Sequence, residues 1–161
     1  MLDGARRVGK SYIAEEFAKR EYESYLLIDF ATVTKDVKRY FNDYLEDLDT
    51  FFMYLLGAYG VDLPRRKSVI IFDEVQRFPR AREAIKYLVK DGRYDYIETG
   101  SLISINRNVR NIVIPSEEHH VKMYAMDFEE FLWATGHGGK MPIIRQAFEK
   151  RVPMEVGMHR M

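Results

Sequence analysis

Gly4-Ala5-Arg6-Arg7-Val8-Gly9-Lys10-Ser11 constrains this chain more than any other stretch. It fits the phosphate-loop pattern Gly-x-x-x-x-Gly-Lys-Ser/Thr and runs straight into the helix-forming Tyr12-Ile13-Ala14-Glu15-Glu16-Phe17-Ala18-Lys19. Such a loop normally leaves the carboxyl end of a buried parallel strand and enters a helix, so an α/β fold is required from the outset. The glycines let the backbone turn inward, and its N–H groups, with the positive end of the following helix, can then surround a phosphate chain. Residues Gly4, Ala5, Arg6, Arg7, Val8, Gly9, Lys10, Ser11 and Tyr12 are therefore expected to hold the nucleotide. Lys10 would reach the β- and γ-phosphates, and the Ser11 hydroxyl would sit on a Mg2+ ion bridging them.

A second motif accompanies the first. Ser68-Val69-Ile70-Ile71-Phe72 is an apolar run closed by Asp73-Glu74, which reads as a Walker B strand carrying carboxylates out beside the phosphate loop. Asp73 is expected to hold the magnesium together with Ser11, through water, and Glu74 to polarise the attacking water. Tyr94-Asp95-Tyr96-Ile97-Glu98 reads as a further strand leading into Thr99-Gly100-Ser101. Thr99 or Ser101 would emerge at the same sheet edge as Asp73 and sense the γ-phosphate. One element is short of residues: only Met1-Leu2-Asp3 precede Gly4, fewer than the four or more of an ordinary strand. The expectation is a chain that starts late and lacks its first strand.

The 161 residues suffice for one α/β domain with a buried core and are too few for two comfortable ones. A formal net charge of zero gives no overall field toward nucleic acid or an anionic membrane. The sequence has no cysteine, which excludes disulfides and thiolate metal sites and suits a cytoplasmic protein. No apolar run of transmembrane length and no signal peptide is evident.

Along the chain, Ile13, Ala14, Phe17 and Ala18 form the apolar face of a first helix ending near Arg20. Ser24-Tyr25-Leu26-Leu27-Ile28-Asp29-Phe30 reads as a strand buried on both faces. Thr34 is a candidate N-cap for one long helix or two short ones carrying Val37, Phe41, Phe52 and Leu55 inward, with Asp43, Glu46, Asp47 and Asp49 on a solvated face. Pro79 opens a helix that Gly92 ends. Residues 104–118 read as a loop or short hairpin. The adjacent His119 and His120 cannot share a metal, because neighbours in a strand face opposite ways. His120-Val121-Lys122-Met123-Tyr124 reads as an edge strand, Asp127 with Glu130 as a capping box, and Pro142 as the start of a last helix.

These features resemble the prokaryotic AAA-type ATPases of the P-loop superfamily in which the ATPase domain is followed by a C-terminal domain of uncharacterised function. The resemblance rests on residues 4–11, the run ending Phe72-Asp73-Glu74-Val75-Gln76, the Thr99-Gly100-Ser101 turn, and Met126-Asp127-Phe128-Glu129-Glu130-Phe131-Leu132. It implies a three-layer sandwich of the additional-strand, catalytic-glutamate type, with a mostly parallel sheet in the order 5-1-4-3-2. Residues 1–135 would be the ATPase core and 136–161 a linker with the start of a truncated extension.

The expected function is therefore ATP binding and hydrolysis, with ATP and Mg2+ as ligands. Lys10, Glu74, Thr99 and Ser101 would be the catalytic set, and Ser11 and Asp73 the metal ligands. A switch or partner-binding module with little turnover is the alternative. Arg107 and Arg110 are candidates for an arginine finger, which could instead come from a neighbouring subunit. Self-association or a protein partner stays open, and nucleic-acid association rests only on Arg65, Arg66 and Lys67.

Overall fold

The computed structural model describes residues 1–101 and 118–154, which fall into two compact units, Met1–Tyr124 and Ala125–Met161. The first is built on a five-stranded, all-parallel sheet in the order β2-β3-β4-β1-β5. Its strands are β1 (Leu2–Gly4), β2 (Ser24–Asp29), β3 (Ser68–Asp73), β4 (Asp95–Ser101) and β5 (Val121–Met123). The helices α1 (Lys10–Glu21), α2 (Lys35–Asp43), α3 (Leu48–Tyr59) and α4 (Pro79–Asp91) connect them. Strand order and direction agree with the expected P-loop sandwich.

The period-two alternation of β3 divides the layers. Val69 and Ile71 pack with Ala14 and Ala18 of α1 on one face. Ile70 and Phe72 join Val37 and Phe41 of α2, Phe51, Phe52 and Leu55 of α3, and Ala81, Ala84, Ile85 and Leu88 of α4 on the other. All six residues of β3 are buried, which is why Val69–Phe72 in its middle is an uninterrupted apolar run. The larger face is centred on Phe41, whose ring lies 4.9 Å from Phe51 and 5.6 Å from both Phe30 and Phe72.

Several expectations need correction. The first strand is present, as three residues only. Leu2, Asp3 and Gly4 pair with Thr99, Gly100 and Ser101 on one side and with Val121, Lys122 and Met123 on the other. Length was the wrong criterion, since neighbours on both flanks hold a segment too short to stand alone. The apolar face of α1 is also narrower than its periodicity predicts. Ala14 and Ala18 are buried, whereas Ile13 and Phe17 are about half exposed, because the helix approaches the sheet through its smallest side chains. The long helical pattern resolves into two helices. Thr34 caps α2 by accepting from the Val37 N–H, and Asp47 caps α3 by accepting from the Thr50 N–H. Asp43, Glu46, Asp47 and Asp49 are exposed as expected. The edge strand begins at Val121, so His119 and His120 precede it. Most of the anticipated 104–118 loop, with Arg107 and Arg110, lies outside the described residues.

In the second unit, α5 (Phe128–Ala134) opens with the expected capping box. Asp127 Oδ1 accepts from the Glu130 N–H at 2.8 Å and Glu130 Oε2 from the Asp127 N–H at 2.9 Å. A 3-10 turn at Gly138–Lys140 leads into α6 (Met141–Lys150), with Pro142 in its first turn. Arg145 of α6 pairs with Glu129 of α5. No helix among the described residues is long and apolar enough to cross a membrane.

One buried cluster was not visible in the sequence. Arg82 of α4, 1% exposed, donates to Glu98 of β4 at 3.0 Å and through both terminal nitrogens to Glu118 at 3.3 and 2.8 Å. One cation thus serves two buried carboxylates. Burial pushes the Glu98 carboxyl up to about 7, Arg82 opposing the rise and Glu118 adding to it.

Candidate functional site

Because the strands are parallel, their carboxyl ends share one edge of the sheet. Register fixes the neighbours: Asp29 lies beside Asp73, and Gly4 beside both Ser101 and Met123. The phosphate-loop sequence leaves β1 at Gly4 and enters α1 at Lys10. Gly4 is required by space, since a Cβ there would lie 2.1 Å from the Met123 carbonyl oxygen. Gly9, the N-cap of α1, takes φ 91°, a left-handed conformation that suits glycine.

The amino end of α1 carries the features of an anion site. It has no side-chain cap and no acid in its first turn, and its first main-chain bond is from the Ile13 N–H to the Gly9 carbonyl at 2.9 Å. The N–H groups of the first turn, with the helix dipole behind them, favour a negative ligand. Ala5, Arg6, Arg7 and Gly9 are exposed, Gly4, Val8 and Ser11 half-buried, and Lys10 buried. The Lys10 ammonium donates to the carbonyls of Ala5 at 2.7 Å and Gly4 at 3.3 Å, folding back over its own loop. Tyr12 is 68% exposed.

Facing the loop is the acidic end of β3. The Ser11 hydroxyl donates to Asp73 Oδ1 at 2.7 Å. Thr99, fully buried on β4, donates its hydroxyl to the same oxygen. Thr99 Oγ1 in turn accepts the Glu74 N–H at 3.3 Å. A single chain of hydrogen bonds therefore joins α1, β3, β4 and the residue after β3. Ser11 and Asp73 present a hydroxyl and a carboxylate side by side, an all-oxygen donor pair of the kind a hard cation such as magnesium accepts. Elsewhere, no group of three His, Cys, Asp or Glu residues is arranged for a metal among the described residues.

Glu74 has an unusual backbone, with φ 53° and ψ 40°. A left-handed glutamate costs on the order of 1–3 kcal/mol and persists only where its surroundings hold it. Here Val75, fully buried, anchors the 3-10 turn Val75–Arg77 in the core, and the Gln76 amide donates to Glu74 Oε2 at 2.6 Å. Half-buried, the Glu74 side chain emerges at the same edge as Asp73.

The expected site residues thus divide. Ser11, Asp73, Thr99 and Glu74 are joined by hydrogen bonds, while the Lys10 ammonium, one residue from Ser11, bonds to the carbonyls of its own loop. Ser101 is buried at the same edge, and Thr99 bonds both Asp73 and the Glu74 N–H. Of the basic loop, Arg65, Arg66 and Lys67 are exposed, and Lys67 already pairs with Glu23 at 2.7 Å. Gln76 was missed as a contact of Glu74. Its sequence signals are its place two residues past the acidic pair and its position at the end of the run Phe72-Asp73-Glu74-Val75-Gln76.

A family model described as an AAA domain matches residues 1–132. No curated protein matches the chain.

Proposed function

The chain belongs to the AAA domain family, and from that premise we propose that its first unit binds ATP with magnesium and hydrolyses the β–γ phosphoanhydride bond. What carries this reading is the 2.7 Å bond between the Ser11 hydroxyl and Asp73 Oδ1. It joins the phosphate-loop sequence to the acidic end of the buried strand, as the two motifs together require.

In this reading, residues 4–12 cradle the triphosphate with main-chain N–H groups. The Lys10 ammonium exchanges the carbonyls of Gly4 and Ala5 for β- and γ-phosphate oxygens and offsets the charge that develops there. Ser11 and Asp73 hold the magnesium, which when bound neutralises phosphate charge. Glu74 accepts a proton from water as the water oxygen bonds to the γ-phosphorus and the bridging oxygen leaves with ADP. Thr99, already bonded to both Asp73 and the Glu74 N–H, registers the terminal phosphate, with Ser101 beside it. The proposed core spans residues 1–135, and the cysteine-free composition suits the cytoplasm.

Phosphate release tests the reading. The parent chain should turn over Mg-ATP, Glu74→Gln should lower kcat by about 10²-fold or more while ATP still binds, and Lys10→Ala should lose binding itself. Equal rates for parent and both variants would leave a nucleotide switch without turnover as the better description.

A further inference from the structure

Beyond the residues assigned above, the geometry points to Gln76 as a positioning residue for the Glu74 carboxylate. The inference rests on the proposed hydrolysis and names the element that orients its base. A glutamate side chain rotates about three bonds, and a base delivers a proton path only when one carboxylate oxygen is held toward the water. Here the main chain is fixed first. The Glu74 N–H is tied to Thr99 Oγ1 at 3.3 Å, and the next residue, Val75, is buried in the core. The side chain is fixed by Gln76, whose Nε2 donates to Glu74 Oε2 at 2.6 Å.

Two features make this more than a surface contact. Gln76 is 2% exposed, so its amide is set by packing and does not drift with solvent. The pair also belongs to one short turn, Val75–Arg77, which starts from the left-handed Glu74. That backbone conformation brings a residue only two positions away within reach of the glutamate side chain. With Oε2 engaged by the amide, Oε1 is the oxygen that serves the water. An ionised carboxylate only accepts hydrogen bonds, so the donor must be the amide nitrogen. A glutamate at position 76 has the same shape but, when ionised, no proton to give.

The experiment is a cycle of variants read as kcat and KM for ATP, alongside binding of a fluorescent ATP analogue and a thermal scan. Gln76→Leu removes the donor, and Gln76→Glu keeps the size while replacing the donor by an acceptor. Both should lower kcat by roughly 10²-fold, the effect of misplacing a reacting group by about 1 Å, with KM and analogue binding unchanged. In a Glu74→Ala background neither should lower the rate further, because Gln76 acts only through that carboxylate. An equal fold-loss in that background, a change confined to KM, or parent-like turnover would each overturn the inference. So would loss of the folded state in both variants, which would make Gln76 a structural residue. If the parent binds ATP without turnover, the hydrolysis reading fails by itself. The side-chain amide resonance of Gln76, observed by 15N NMR, then decides: it should move on Glu74→Ala, and an unmoved resonance would refute the positioning contact.

Discussion

The Arg82 cluster makes the stability of this protein depend on pH in a direction opposite to that of an ordinary paired carboxylate. Glu98 is 4% exposed and shares one guanidinium with Glu118. His120 Nε2 adds a contact to Glu118 at 3.3 Å. With burial dominant, the Glu98 carboxyl rises from 4.5 to about 7, so between those values the folded chain binds more protons than the unfolded one. Stability is therefore fully present below about pH 4.5 and is lost as pH rises through 7. Taking about 1.4 kcal/mol for each tenfold change in proton affinity, the gap amounts to about 3 kcal/mol. Glu98→Gln keeps the shape and the contact to Arg82 while removing the charge. In urea denaturation it should match the parent near pH 4 and exceed it by about 3 kcal/mol near pH 8. The parent-minus-variant difference cancels other titrating groups, the histidines among them. If that difference is the same at both pH values, the reasoning about the buried pair is wrong.

Gly4→Ala places a Cβ 2.1 Å from the Met123 carbonyl oxygen and should part β1 from β5. Thermal scans should show a loss of about 3 kcal/mol, the upper range for overpacking, and no upward shift with Mg-ATP. Phe41→Ala empties the centre of the aromatic cluster and should cost about 3–5 kcal/mol in urea denaturation. Asp127→Ala removes one half of the capping box, a loss of about 1 kcal/mol, and hydrogen exchange at the Glu130 amide should accelerate accordingly.

What the sequence made legible was local. The phosphate loop, the uninterrupted β3, the caps at Thr34 and Asp127, and the Pro79 helix start each carry their signal within about ten residues, the range over which turn chemistry and periodicity act. Features set by long-range pairing were not readable. The three residues of β1 are a strand because β4 and β5 flank them, a fact no window around Leu2 contains. Ile13 and Phe17 fit the helical period as well as Ala14 and Ala18 do, and only the closeness of sheet and helix chooses the alanines. Similarly, Thr99 meets Asp73 because β4 lies beside β3 in this register. Arg82 carries no local sign of burial, and its partners Glu98 and Glu118 lie 16 and 36 residues away.

The place of β1 between β4 and β5 has a consequence for how the loop after it is held. Leu2–Gly4 are laced on both flanks, to Thr99–Ser101 and to Val121–Met123, and the chain turns straight from Gly4 into the loop. Whatever tugs on that loop therefore pulls on two neighbouring strands at once. A bound triphosphate would act as a rivet, fastening all three from outside the sheet.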